Sequence, residues 1–238
     1  MQPSTASGAG TYSSAIGDAV NYTRWVLEAF DGLVGRRILE VGIGHGGYVD
    51  HLPPPERYLG VDIDSASVAE ARQAHPDREY IEADIGSPDF ANRVGHGRFD
   101  TILCLNVLEH IESDRQAVVN LLKALEPGGH LLLFVPAFEA LYSSLDRLAG
   151  HHRRYTRAQL AELVPAGLAH VARNEYFNSI GGLGWWVNKF MPHKSLNDSA
   201  VNGQVRLFDR YILPISRLIN PVTRNIFGQS VVFAVRRS

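Results

Sequence analysis

From Arg37 to Pro136 the chain alternates short apolar runs with stretches of helical character. That pattern predicts a parallel sheet with helices on both faces. The runs are Arg37–Val41, Tyr58–Val61, Glu79–Ala83, Phe99–Leu105 and His130–Val135. Leu131-Leu132-Leu133-Phe134-Val135 does not alternate with polar residues, as expected of a strand buried on both faces. Between the runs, Ser65–Ala74 has helical composition, and Asp114–Leu125 puts Ala117, Val118, Leu121, Leu122 and Leu125 on one face, with Pro127-Gly128-Gly129 as a stop signal. Upstream, Asp18–Leu33 carries Val20, Tyr22, Trp25, Val26, Phe30 and Leu33 at mixed helical spacing and predicts a helix against the sheet or its open edge.

After Pro136 the regular alternation stops. Phe138–Tyr155 reads as an insertion, Thr156–Ala166 as a helix opened by a capping box (Thr156 with Gln159), and Leu168–Tyr176 and Ser230–Val235 as the last two strands. About fifty residues separate those strands, where a hairpin needs only about two to five. The chain therefore divides into an N-terminal arm and helix (1–36) covering the site, a core (37–178 and 229–238), and a helical insertion (179–228) that forms a substrate lid or a dimer element.

Composition narrows the function. Lys+Arg 23 against Asp+Glu 25 gives a net charge of −2 over 238 residues, so no global positive field favours nucleic acid. The lone thiol, Cys104, excludes an internal disulfide and a multi-cysteine metal site, and suits a reducing compartment. The first residues lack a basic segment followed by an apolar one, and the longest apolar runs fall far short of a membrane span, so a cytoplasmic location is expected.

The chemistry concentrates at Ile38-Leu39-Glu40-Val41-Gly42-Ile43-Gly44-His45-Gly46-Gly47, an apolar strand running into a glycine-rich turn. Gly42, Gly44 and Gly47 also satisfy the dinucleotide fingerprint, and Asp62 lies 20 residues past Gly42, where a ribose-binding carboxylate is expected. Charge separates the two cofactors. Glu40 beside an anionic pyrophosphate would cost about 1–4 kcal/mol at about 4 Å, depending on the dielectric. Asp62, Asp64, Asp84 and Glu109 repeat acid at successive strand ends, where open α/β sheets bind ligands. That arrangement favours a cationic cofactor.

These residues resemble the class I S-adenosylmethionine-dependent methyltransferases over Arg37–Ala137. The resemblance is carried by the Glu40-x-Gly42-x-Gly44-x-Gly46 loop, Gly60-Val61-Asp62-Ile63-Asp64, Ala83-Asp84-Ile85, Phe99-Asp100-Thr101-Ile102-Leu103, Asn106-Val107-Leu108-Glu109-His110-Ile111 and Leu125-Glu126-Pro127-Gly128-Gly129. It implies a Rossmann-like, doubly wound seven-stranded α/β sheet, mostly parallel with an antiparallel last strand, here with the helical insertion before that strand. It further implies that Gly42, Gly44 and Gly46 pass under the methionine part of S-adenosylmethionine, that Asp62 accepts from the ribose, and that Asp84 with the Ile85 amide reads the adenine. Glu40 and Ile63 are further candidates for lining the same site, and the resemblance implies that the segment at Leu105-Asn106 borders the sulfonium. Asp64 replaces the commoner Ser or Asn and is open between ribose contact and helix capping.

A second cluster, Asp146-Arg147-Leu148-Ala149-Gly150-His151-His152-Arg153-Arg154-Tyr155, follows the fifth strand. Its Gly-His-x-Arg-Arg-Tyr part resembles a signature of one group of bacterial methyltransferase-domain proteins. Arg153 or Arg154 is a candidate for binding an acceptor's carboxylate or phosphate, and His151, in preference to His152, or Tyr155 for taking its proton, with His110 a further catalytic candidate. Trp185 and Trp186 are expected to shape an apolar acceptor pocket. With Lys189, Phe190 and Lys194 they also keep peripheral membrane contact as an alternative. The expected activity is methyl transfer to an O, N or C atom of a small molecule, a specialised metabolite or a sugar- or lipid-linked intermediate. The product is S-adenosylhomocysteine, with no metal, no nucleic-acid partner, and a monomer or homodimer. The rivals are an NAD(P)-dependent oxidoreductase and a non-catalytic cofactor-binding partner protein.

Overall fold

In the strands that build the centre of the molecule, successive side chains enter opposite cores. Ile102 and Cys104 pack with Leu131, Leu133 and Val135 and with Val231, Phe233 and Val235 in one buried cluster. Leu103, Leu105, Leu132, Phe134, Val232 and Ala234 belong to the other. Apolar residues at every position thus follow from a sheet covered on both faces. The computed structural model describes residues 19–44, 48–190, 203, 205 and 207–238.

Seven strands make up the sheet: β1 (Arg37–Val41), β2 (Arg57–Asp62), β3 (Glu79–Glu82), β4 (Phe99–Leu105), β5 (Leu125–Pro136), β6 (Ala169–Phe177) and β7 (Ser230–Arg237). Their order is β3-β2-β1-β4-β5-β7-β6. β1 to β5 pair in parallel, and β7 runs antiparallel to both β5 and β6. The chain order reverses between β1 and β4, so the crevice at their carboxyl ends is the place for a ligand.

The helices are α1 (Val20–Glu28), α2 (Ser65–Ala74), α3 (Phe90–Val94), α4 (Asp114–Ala124), α5 (Ser144–Ala149), α6 (Arg157–Leu163), α7 (Ser179–Asn188) and α8 (Leu213–Thr223), the last preceded by a π-helical turn, Phe208–Ile212. Phe90, Leu121 and Leu160 place α3, α4 and α6 on one face of the sheet. Trp25, Val68 and Leu213 place α1, α2 and α8 on the other. The Thr156–Gln159 capping box opens α6 as the sequence predicts. Two local expectations change. α1 ends at Glu28 and continues as turns, not helix, to Leu33. Pro127-Gly128-Gly129 lies inside β5, where the register against β4 jumps from Leu125 to His130. These residues form an irregularity in a strand, and α4 has already ended at Ala124.

The insertion is tied to the core by a polar knot. Asn178, fully buried, caps α7 by accepting from the Gly181 amide at 2.9 Å and also accepts from Ser216 Oγ at 2.6 Å. Its amide nitrogen donates to Gln229 Oε1 at 2.8 Å. α1 joins the same unit, since Asp209 accepts from the Tyr22 amide at 2.7 Å and Arg217 pairs with Glu28.

Candidate active site

At the carboxyl end of β1 the chain enters the glycine turn with Gly42 at φ +74° and Gly44 at φ +51°, backbone that L side chains rarely adopt. A Cβ on Gly42 would stand 2.2 Å from Val107 Cγ2, so only glycine keeps the turn this close to the end of β4. The Gly44 amide donates to Asp62 Oδ2 at 3.1 Å, and the Asp64 amide to Asp62 Oδ1 at 3.0 Å. Asp62 therefore sits at the tip of β2 directly across from the turn. Glu40 is buried in β1 and accepts from the Tyr48 amide (3.1 Å) and the Tyr58 hydroxyl (2.8 Å). Through these two bonds it braces the turn from below. Gly46 lies outside the described residues.

Further along the crevice, Asp84 is exposed after β3 and accepts from the Gly86 amide at 2.7 Å. Buried Asn120 of α4 clamps this loop by donating to the Ile85 and Ser87 carbonyls, each at 2.8 Å. Ile63 offers a 51% exposed apolar side chain beside Asp62. Asp64 settles its own ambiguity in favour of capping, accepting from the Ala66 and Ser67 amides and from Ser67 Oγ (2.9 Å) at the start of α2. The bond from Ser67 is the main cause holding its carboxyl below the usual range. Asn106, at φ +55° after β4, donates from Nδ2 to the Tyr48 hydroxyl at 3.3 Å, and these two residues also line the neighbouring cavity. A turn that a Cβ would close, carboxylates at Asp62 and Asp84, and an exposed apolar side chain between them fit an adenosine cofactor bearing positive charge.

That cavity, about 260 Å³, lies between α1, the ends of β4 and β5, α5 and the insertion. Val26, Phe134, Leu145, Trp185 and Phe208 give it an apolar wall, against which Glu109, His110 and His151 converge. A mostly apolar pocket with a few convergent polar groups is the usual form of a small-molecule site. Glu109 is 1% exposed, and neither of its carboxylate oxygens has a hydrogen-bond partner among the described residues. Burial pushes its carboxyl up to about 7, with His151 opposing. Burial, then the neighbouring His151, pushes His110 down to about 4. The two imidazoles meet edge to face at 4.8 Å.

Local folding of α5 places His151. Ser143 caps the helix, and Asp146 at its third position returns a bond to the Ser143 amide at 2.8 Å. Gly150, at φ +78°, then reverses the chain so that His151 Nδ1 meets Asp146 Oδ1 at 2.8 Å. The same carboxylate takes two bonds from Arg154, from Nε at 2.8 Å and from the terminal nitrogen at 3.0 Å. Burial alone would raise Asp146, but the His151 bond and the Arg154 guanidinium hold it well below the usual carboxylate range.

Four expectations are corrected here. Arg154 borders the cavity but is 3% exposed, with its guanidinium spent on Asp146, the Ala137 carbonyl and the Trp185 ring at 5.0 Å, so no fork is left for an acceptor anion. Arg153 turns away to Asp114 Oδ2 (2.7 Å) and the Glu112 carbonyl (2.9 Å). Tyr155 is a core residue whose hydroxyl bonds Asp114 Oδ2 (3.1 Å) and the Leu108 carbonyl (3.3 Å), and burial pushes its phenol far up. Trp186 points outward against Phe190, leaving Trp185 alone of the pair on the cavity. Of the two histidines, His151 faces the cavity and His152 is exposed. Asp146 stands in the second cluster of the sequence but without a role there, and Tyr48 and Asn120 stand in no motif. Only Asp146 carried a local signal, five residues before His151 and three after a capping serine.

Residues 39–131 match the family model described as a methyltransferase domain. A ubiquinone biosynthesis O-methyltransferase of Alkalilimnicola ehrlichii is 32% identical over 111 residues, 45% of this chain and 44% of that protein. A phthiotriol/phenolphthiotriol dimycocerosates methyltransferase of Mycobacterium leprae is 30% identical over 104 residues, 42% of this chain and 37% of that protein. The chain thus spans less than half the length of these curated relatives. Among solved structures, an S-adenosylmethionine-dependent methyltransferase from Mesorhizobium loti superposes with TM-score 0.60 at 18% identity, covering 90% of this chain and 98% of that one. The N-methyltransferase NodS of Bradyrhizobium japonicum, in complex with S-adenosyl-L-homocysteine, gives 0.56 at 16% identity, covering 96% and 98%. The strand order and the antiparallel β7 give the chain the Rossmann-like fold of these solved methyltransferases, and the methyltransferase-domain match covers its glycine turn and β1 to β4 with the start of β5.

Proposed function

We propose that the chain binds S-adenosylmethionine in the crevice at the ends of β1 to β4 and transfers its methyl group to a small molecule held in the adjoining cavity. The observation that carries this reading is the Gly44 amide. In a pyrophosphate-binding turn such an amide points at the anion, whereas here it donates to the Asp62 carboxylate, with a second buried carboxylate, Glu40, beneath the turn. The ribose of either cofactor would donate to Asp62, so it is buried Glu40 beneath the turn that disfavours an anionic pyrophosphate and favours a cation.

Gly42 and Gly44 give the methionine part its approach. Asp62 accepts from the ribose hydroxyls, Ile63 covers one face of the adenine, and Asp84 with the Ile85 amide reads its edge. Asn106 borders the reacting centre. The bound cofactor supplies a methyl group on a sulfonium that departs as a neutral thioether, so positioning contributes much of the acceleration. The polar corner made by Glu109, His110 and His151 is where the acceptor's nucleophilic atom is fixed and its proton removed. The similarity to a ubiquinone biosynthesis O-methyltransferase supports oxygen as that atom.

Residues 179–228 act as the acceptor's lid, since Trp185, Val205 and Phe208 wall the cavity. Within this unit Trp186, Phe190, Leu218 and Val222 are exposed, apolar surface suited to a second copy or to a membrane carrying a lipid-linked acceptor. Among the described residues no helix is long and apolar enough to cross a membrane. Incubation of the chain with methyl-labelled S-adenosylmethionine and a panel of phenols, catechols and sugar- or lipid-linked alcohols tests the reading. Label in one acceptor class is expected. Cofactor binding with no transfer to any member of a broad panel would favour a non-catalytic partner protein.

A further inference from the structure

We infer that Glu109, His110 and His151 hold a divalent transition-metal ion at the inner end of the cavity. Glu109 is the first reason. A carboxylate that is 1% exposed, with both oxygens unpartnered among the described residues, calls for an occupant, because burying unpaired polar atoms is costly. The nearest basic nitrogen, His151 Nε2, stands 3.9 Å away, beyond hydrogen-bond reach.

The second reason is the arrangement of donors. One ligating atom from each of the three residues lies within 4.8 Å of the others. An ion about 2.1 Å from each of three tetrahedrally disposed donors sets them about 3.4 Å apart, so side-chain rotation alone closes the site. Each imidazole is also oriented as metal-binding histidines are, one nitrogen tied back and the other free. His151 Nδ1 is held by Asp146 Oδ1 at 2.8 Å, and His110 is bonded to the Gly150 backbone. Arg154 and the Ser143 amide fix Asp146 in turn. A buried carboxylate carrier of this kind is a costly way to place a surface-type histidine and an ordinary way to place a ligand.

Two imidazoles with one carboxylate select an ion such as Zn²⁺, Co²⁺ or Fe²⁺ over Mg²⁺, which prefers oxygen donors. Three protein ligands leave an open position, and it faces the cavity. On the methyl-transfer reading above, an acceptor hydroxyl takes that position. The ion lowers the hydroxyl's pKa, its proton passes to solvent, and the oxygen is held for attack as the O–C bond forms and the C–S bond breaks.

Metal binding is measured without cofactor or acceptor. The full chain, freed of metal by chelator dialysis, is titrated with Co²⁺ alone, read by its visible d–d bands, and with Zn²⁺ alone, read by calorimetry. One equivalent per chain is expected. Glu109→Gln and His151→Ala should each weaken binding by more than the roughly 10- to 100-fold that loss of an outer-sphere partner costs. His152→Ala, one residue away and exposed, should leave it unchanged. Thermal melts establish that the variants are folded, and the near-isosteric Glu109→Gln carries the test if His151→Ala is not. Absence of saturable binding, or binding indifferent to both substitutions, overturns the site. S-Adenosylhomocysteine titrated separately distinguishes the two claims. Its binding without metal binding removes this inference alone, and metal binding without it removes the methyl-transfer reading alone.

Discussion

Asp146→Asn is the substitution whose cost the structure specifies best. The carboxylate is fully buried and receives two bonds from Arg154, one from His151 and two from Ser143. Asparagine keeps the shape but leaves the Arg154 guanidinium, 3% exposed, without its counter-charge. Removing one partner of a buried pair costs about 3–5 kcal/mol. For a chain of this size that corresponds to a fall of roughly 6–20 °C in Tm, at about 2–4 °C per kcal/mol. Urea unfolding followed by circular dichroism measures it. Arg153→Met is the control, because its pair with Asp114 is partly exposed, with the Arg153 side chain 32% exposed, and pairs near the surface contribute about 0–1 kcal/mol. Adding Arg154→Met to Asp146→Asn should recover part of the loss, since no buried cation then remains. The pH dependence has a definite sign. Asp146 is held below its unfolded value of 3.8, so its contribution is complete at neutral pH and is lost as pH falls below that value towards the depressed one. A loss at neutral pH no larger than that of Arg153→Met would refute this account of the network.

Three further outcomes follow from local geometry. Gly42→Ala must place a Cβ 2.2 Å from Val107 Cγ2 at φ +74°, so it should cost about 1–2 kcal/mol of stability and weaken cofactor binding, checked by melts and calorimetry; wild-type affinity would contradict the close approach. Cys104 is fully buried, and burial pushes its thiol well up, so iodoacetamide should leave it unmodified in the folded chain and alkylate it in urea, as read by intact mass; full labelling of the native chain would contradict its burial. Asn178→Ala removes the cap of α7 and the links to Ser216 and Gln229, at about 0.5–2 kcal/mol for the cap alone. Limited proteolysis should then cut first within 179–228, and unchanged cleavage there would contradict the knot.

The sequence made the sheet legible because burial on both faces leaves unbroken apolar runs, and β4 is bounded as its run predicts, Phe99–Leu105. The crevice residues were legible for a related reason, since each sits at a strand end fixed by backbone pairing. Pro127-Gly128-Gly129 misled because the same residues that stop a helix also form an irregularity within a strand. The Arg153–Tyr155 cluster misled more deeply. Exposure and partners decide what a cation does, and the carboxylates that occupy Arg153 and Arg154, Asp114 and Asp146, belong to other elements of the fold. The Glu109–His151 approach was invisible for the same reason: 42 positions separate them in sequence, and α5 with the Gly150 reversal brings them together.

The central claim is that the crevice was built for a cationic adenosine cofactor, and calorimetric titration of the full chain with S-adenosylhomocysteine, S-adenosylmethionine and NAD in parallel tests it most directly. The account predicts one site for each of the first two and no heat from NAD. It also predicts that Asp62→Ala weakens that site by roughly 10- to 150-fold, the worth of about 1.5–3 kcal/mol of charge-assisted hydrogen bonds to the ribose. NAD binding with neither sulfur compound bound would contradict it.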